Sequence, residues 1–170
     1  IVRPQWQRMI GYVPQSIFLV DDSVRRNVAL GIPDADIADE DVWRALEAAR
    51  IDTKVRSLPK QLDTKVGENG VRLSGGERQR IGIARALYAR PDVMMFDEAT
   101  SSLDNQTERE ITETVAALGG ERTVIVITHR LTAVTRCDRI YFISAGRVVD
   151  TGSYHDLLAR NEGFRKMVGE

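Results

Sequence analysis

The chain has 170 residues, 42% hydrophobic and 29% charged, with a formal net charge of −1 and one cysteine, Cys137. This is the make-up of one soluble globular domain with a real core; it offers no electrostatic attraction for nucleic acid or an anionic membrane, and it excludes an internal disulfide framework, fitting a reducing compartment. No apolar run reaches the roughly 20 residues that span a bilayer, and no segment reads as a signal peptide, so no direct membrane insertion is expected. The start at Ile1 rather than Met hints at a position inside a longer protein.

Residues 10–13 form a short β-type run ended by Pro14, because proline has no N–H for a ladder. Ser23 is placed to cap a short helix through Val28, closed by Gly31 and Pro33. Residues 39–49 read as an amphipathic helix, with Val42, Leu46 and Ala49 on one face and acids in the first turn. Trp43 beside that face reads as packing, and Cys137 as a partly buried small residue. Residues 58–71 are turn-rich. Ser74 then opens a helix to about Arg90 with an apolar stripe of Ile81, Ala84, Leu87 and Tyr88, stopped by Pro91. The continuous apolar run 93–96 is the pattern of a strand covered on both faces. A helix over about 105–118, a second buried strand at 123–128 and a third at 139–144 follow. Ala145-Gly146 turns the chain into 147–151 as a hairpin, and Ser153 caps a final helix with Asp156 as its reciprocal acid. The alternation predicts an α/β fold with a mainly parallel sheet. Residues 21–90 contain no obvious strand and are expected to form a helical subdomain, with 1–20 and 91–170 as the rest of a single domain.

Two stretches carry the chemistry. Ser74-Gly75-Gly76-Glu77 is complete as a capping box, with Ser at the N-cap and Glu three residues on. Its two glycines are costly in a helix, but they permit close approach of a phosphate to the free N–H groups and positive dipole end of a helix N-terminus. Downstream, Asp97-Glu98 ends the run Val93–Phe96. Adjacent acids at the end of a buried strand are expensive as structure and natural as a ligand for a hard cation beside a base for a nucleophile.

Leu73-Ser74-Gly75-Gly76-Glu77-Arg78-Gln79-Arg80, followed by Met94-Met95-Phe96-Asp97-Glu98, resembles the signature motif and Walker B strand of ATP-binding-cassette (ABC) ATPases. Further motifs follow in the same order. Gln15 in Tyr12-Val13-Pro14-Gln15 resembles the Q-loop. Val66-Gly67-Glu68-Asn69-Gly70 resembles the X-loop of exporter-type members. Ser101-Ser102-Leu103-Asp104 resembles the D-loop, and His129 in Ile127-Thr128-His129-Arg130 resembles the switch histidine. The resemblance covers essentially the whole chain from Gln15 onward. It implies a P-loop NTPase-like fold with ATP and Mg²⁺ as ligands, Asp97 and Gln15 serving the metal, and Glu98, His129 and Gln15 serving hydrolysis. Ser74, Gly75, Gly76, Glu77 and Asp104 would face nucleotide at a head-to-tail dimer interface with a second nucleotide-binding domain. Glu68 would face the transmembrane domains, placing the segment at the cytoplasmic face of the plasma (inner) membrane.

The phosphate-cradling pattern G-x-x-x-x-G-K-[ST] is absent: none of Lys54, Lys60, Lys65 and Lys166 stands in it, and no aromatic platform for adenine is evident. The chain therefore reads as the C-terminal portion of such a domain, expected to hydrolyse ATP negligibly alone. Its sheet is expected to respond by weakening, by oligomerising, or by pairing the His129 strand with the 139–144 strand. Two other readings stay open. A soluble ABC ATPase of translation or DNA repair is disfavoured by the lack of heptads between Gln15 and Ser74 and by the near-neutral charge. The other is a non-catalytic module that pairs with intact subunits.

Overall fold

A computed structural model describes residues 6–7, 9–68, 70–100, 103–120 and 122–169. The chain divides between residues 127 and 128 into two compact units, each with its own apolar core.

In chain order the first unit runs β1 (Ile10–Val13), β2 (Asp22–Ser23), α1 (Val24–Val28), α2 (Asp39–Ala48), α3 (Asp52–Arg56), β3 (Lys65–Val66), α4 (Gly75–Tyr88), β4 (Val93–Asp97), α5 (Asn105–Leu118) and β5 (Thr123–Ile127). Strands β1, β4 and β5 form a parallel sheet in the order β1-β4-β5, with Val13 opposite Phe96 and Asp97 opposite Ile127. Side chains alternate across a strand. Gly11, Val13, Met94 and Phe96 therefore face inward, joined in the core by Ile81, Ala84 and Leu87 of α4 and Ile111 of α5. At Gly11 β1 and α4 approach closely: a Cβ there would lie 2.6 Å from Met94 Sδ and 2.8 Å from the Ala86 carbonyl oxygen. The helical elements share this core through Val24, Val42, Leu46 and Val55. Trp43 packs on it with the Arg56 guanidinium over its ring at 4.0 Å, the packing role expected of it.

The second unit comprises α6 (Leu131–Val134), β6 (Ile140–Ser144), β7 (Arg147–Gly152), α7 (Tyr154–Arg160) and α8 (Glu162–Val168). Strands β6 and β7 form the expected antiparallel hairpin. Val134, Leu157 and Phe164 are its buried core, and the Phe164 ring meets Phe142 and Tyr154 edge-on at 5.7 and 5.8 Å. Cys137 is half-buried with its thiol donating to the Ala133 carbonyl; burial, then Asp138, pushes its ionisation upward. Among the described residues no helix is long and apolar enough to cross a membrane.

Three expectations need correction. Residues 21–90 do contribute strands: β2 and β3 pair antiparallel, Asp22 with Val66, because the returning chain satisfies two backbone groups there. Among the described residues of the first unit, β4 and β5 are covered by helices on one face, and Tyr12, Ile125 and Ile127 on the other are 50, 41 and 47% exposed. The last helix is two helices. Asn161, extended at φ −110° and ψ 106°, breaks them apart; its amide nitrogen donates to Asp150 while its carbonyl oxygen caps Phe164 N–H.

Candidate functional site

Three parallel strands end at one edge of a sheet, where open α/β sheets bind ligands. Gln15 lies on an exposed bend two residues beyond β1. Its loop is pinned from behind by Asn27, wholly buried, whose side chain accepts from Val20 N–H at 2.9 Å and donates to Val20 O at 3.0 Å. Arg85 of α4 donates to the carbonyls of Asn27 (2.8 Å) and Phe18 (3.1 Å), and its burial lowers its pKa. The hydrophobic pattern foretold the α4 stripe but not this guanidinium strut.

Asp97 closes β4 at the same edge. The chain then turns abruptly: Glu98 adopts φ 47°, a left-handed conformation uncommon for a non-glycine residue, and its N–H donates to Ile127 O at 2.8 Å. The acid pair is thus split in direction, Asp97 still belonging to the strand and Glu98 held by the end of β5. Asp97 Oδ2 accepts a 2.9 Å hydrogen bond from the Tyr12 hydroxyl. That bond first, and slight desolvation second, raise the tyrosine pKa above its ordinary value. Nothing in the sequence suggested this pairing, though the signal existed: Tyr12 lies opposite Met95, so strand parity puts Tyr12 and Asp97 on one face. Among the described residues no group of three His, Cys, Asp or Glu could hold a metal ion. A carboxylate at the end of β4, with the Gln15 amide on the bend beyond the neighbouring β1, suits a hard divalent cation that brings water and phosphate oxygens as its other ligands, the habit of Mg²⁺.

The second feature is the N-terminus of α4. Ser74 accepts from Glu77 N–H (3.2 Å) while Glu77 accepts from Ser74 N–H (2.8 Å), the reciprocal box expected from the sequence. Lys54 pairs with Glu77 at 2.9 Å. Burial, the largest single influence, pushes the Glu77 carboxyl up, but Ser74 N–H and Lys54 together outweigh it, and the net pKa is lowered. Ser74 and Gly75 are exposed and Gly76 is buried, so the two glycines are not equivalent.

Asp104 caps α5, accepting from Gln106 N–H, Thr107 N–H and the Thr107 hydroxyl; the hydroxyl foremost keeps its carboxyl below the usual range. Ser101 and Ser102, before it, and Asn69 of the glycine-rich turn lie outside the described residues. Glu68 is exposed and lines a recess of about 600 Å³ together with Ile17, Phe18, Gly67, Arg72 and Arg78, Phe18 being 73% exposed. His129 belongs to the second unit, exposed on a bend two residues after β5. The sheet edge thus gathers Gln15, Asp97 and Glu98, with Tyr12 unforeseen.

The fold is α/β with a parallel sheet, of the class found in ABC ATPases. The model of the ABC transporter family matches residues 1–101, and the chain belongs to that family. It is 39% identical over 165 residues to a multidrug resistance ABC transporter ATP-binding and permease protein of Lactococcus lactis, covering 97% of this chain and 28% of that protein. An ATP-dependent lipid A-core flippase of Ralstonia nicotianae is 43% identical over 156 residues, 91% of this chain and 26% of its own. A solved bacterial Atm1-family ABC exporter with ATP bound superposes with a TM-score of 0.82 at 39% identity, covering 95% of this chain and 28% of that one. The chain thus spans about a quarter of the length of these relatives.

Proposed function

We propose that these residues are the signature-bearing, acid-bearing part of the ATP-hydrolysing domain of an export-type ABC transporter. The observation that carries the reading is the acid pair at the sheet edge: Asp97 ends β4, and Glu98 is turned away from it in a left-handed conformation tied to β5. Phosphoryl transfer needs positioning and charge neutralisation more than covalent chemistry. Bound Mg²⁺ supplies neutralisation of phosphate charge. Asp97 and Gln15 would hold it, and Glu98, fixed by its N–H bond, would orient and polarise the attacking water. His129 would contact the γ-phosphate. Ser74 and Gly75 would present the α4 N-terminus to nucleotide held by a second domain, with Asp104 at the same head-to-tail interface.

The export reading is supported by the names of the relatives, a multidrug resistance protein and a lipid A-core flippase, and by the recess beside Glu68 and Phe18. That recess, lined by apolar Ile17 and Phe18 and by charged Glu68, Arg72 and Arg78, would receive helices of the transmembrane part, placing the domain at the cytoplasmic face of the membrane. The 170 residues contain no phosphate-loop pattern, so residues 1–170 alone are expected to hydrolyse Mg·ATP negligibly.

Steady-state ATP hydrolysis by the intact gene product, beside its Glu98→Gln variant, tests the reading. A loss of about a hundredfold or more in the variant, with residues 1–170 alone inactive, is the expected result. Activity unaffected by Glu98→Gln would sink the catalytic assignment, and activity in 1–170 alone would mean that a phosphate cradle lies within these residues.

A further inference from the structure

Helices α4 and α5 meet at a seam that begins at the signature itself. A Cβ on Gly76 would fall deep inside van der Waals contact of Thr107 Cγ2, and one on Gly75 would lie 3.3 Å from Leu103 Cδ2. A threonine methyl could ordinarily rotate away. Here it cannot do so freely, because the Thr107 hydroxyl donates to Asp104 Oδ2 at 2.7 Å and its N–H donates to Asp104 Oδ1 at 3.0 Å. Turning χ1 to clear Gly76 would break the hydroxyl's bond to the α5 cap, and a β-branched side chain in a helix has few rotamers to turn to. One turn further along α4, Arg80 continues the seam: 8% exposed, it donates to Thr114 Oγ1 and Glu110 Oε2, both at 3.2 Å, and to Ala49 O at 3.3 Å. The seam thus has a buried guanidinium in its middle and a methyl-on-glycine contact at its tip.

We propose that Thr107 is a positioning residue for the ATPase reaction: its methyl, locked by the Asp104 cap, seats Gly76 and so sets where the helix N-terminus at Ser74 and Gly75 is presented. The proposal rests on the reading of α4 as a nucleotide-facing helix. It divides the work of the two glycines. Gly75, exposed, keeps the ligand side clear, whereas Gly76, buried, is glycine because Thr107 occupies the place of its side chain. It also ties Asp104 to the signature of its own subunit, since the cap that starts α5 is the group that fixes the seat of α4.

The test is a rescue. Gly76→Ala should displace α4 by a fraction of an ångström to an ångström, and misplacement on that scale costs roughly tenfold to a hundredfold in kcat/KM. Thr107→Ser removes the obstructing methyl and keeps the hydroxyl on Asp104. The Gly76→Ala/Thr107→Ser double variant should therefore recover to within about threefold of wild type, most of the change lying in KM for Mg·ATP. The measurement is an Mg·ATP titration of ATPase activity in the intact gene product in lipid nanodiscs, with Glu98→Gln alongside and melting curves confirming that every variant is folded at the assay temperature. If Gly76→Ala fails to fold, the double variant still reports, because it must both fold and hydrolyse. A double variant as impaired as Gly76→Ala, or a Gly76→Ala indistinguishable from wild type, overturns the proposal. No ATPase in wild type, or activity that survives Glu98→Gln, overturns the parent reading and the proposal with it, a pattern distinct from failed rescue.

Discussion

The second unit is small enough for one side chain to decide its stability. Phe164 is fully buried, and its ring is the meeting point of Phe142 from β6 and Tyr154 from α7. Phe164→Ala removes the transfer free energy of the ring and leaves a cavity, a loss of about 3–5 kcal/mol. A unit of about 40 residues commands only on the order of 2–6 kcal/mol in total. The variant unit should therefore be unfolded for much of the time. Residues 1–127 should remain folded, because the two cores have no residue in common. Amide hydrogen exchange read by mass spectrometry resolves the two directly. Protection should vanish across 140–168 and persist in α4 and β4. If His129 contacts the γ-phosphate as proposed, ATPase activity of the intact gene product should fall as well, since His129 lies in the collapsing unit. Protection retained across 140–168 would refute the energetic argument, and simultaneous loss in both units would refute their independence.

Two further outcomes are expected. Asp150 is held at about 2, against 3.8 for a free carboxyl, by the Arg160 guanidinium first and the Asn161 amide second. A depressed folded value means that the stabilisation is complete above about pH 4 and lost as pH falls towards 2. The melting temperature of the second unit should drop across that window, and Asp150→Asn should flatten the drop; equal acid sensitivity in the variant would count against the brace. Gly11→Ala should destabilise the first unit by about 1–3 kcal/mol, because the new methyl meets Met94 Sδ, Pro91 Cγ and the Ala86 carbonyl, the last a backbone atom that cannot swing aside. Chemical denaturation with an unchanged m-value measures it, and a neutral result would show that the approach of β1 to α4 is looser than described.

Local grammar made much of this protein legible. Ser74 and Ser153 announce their capping boxes through residue type and spacing alone. The apolar run before Asp97-Glu98 marks the end of a strand, and the family motifs name the chemistry of that end. Those signals are short in range: each is satisfied within a helical turn or one strand.

What the sequence left open was decided by contacts distant along the chain. Tyr12 reaches Asp97 across 85 residues because parallel pairing sets them on one sheet face. Arg80 is a charge on the buried side of α4, satisfied because the end of α2 and the side of α5 supply its acceptors. The two-residue pairing of β2 with β3 lies below any sequence period, and the break at Asn161 needs Asp150 from another element. Continuous apolar composition in β4 and β5 promised two covered faces, but burial depends on what packs there, and the described residues cover one. Gly76 shows the difference most plainly. Its sequence context points to room for a phosphate, whereas the fold puts a methyl of Thr107 in the space where a side chain would be.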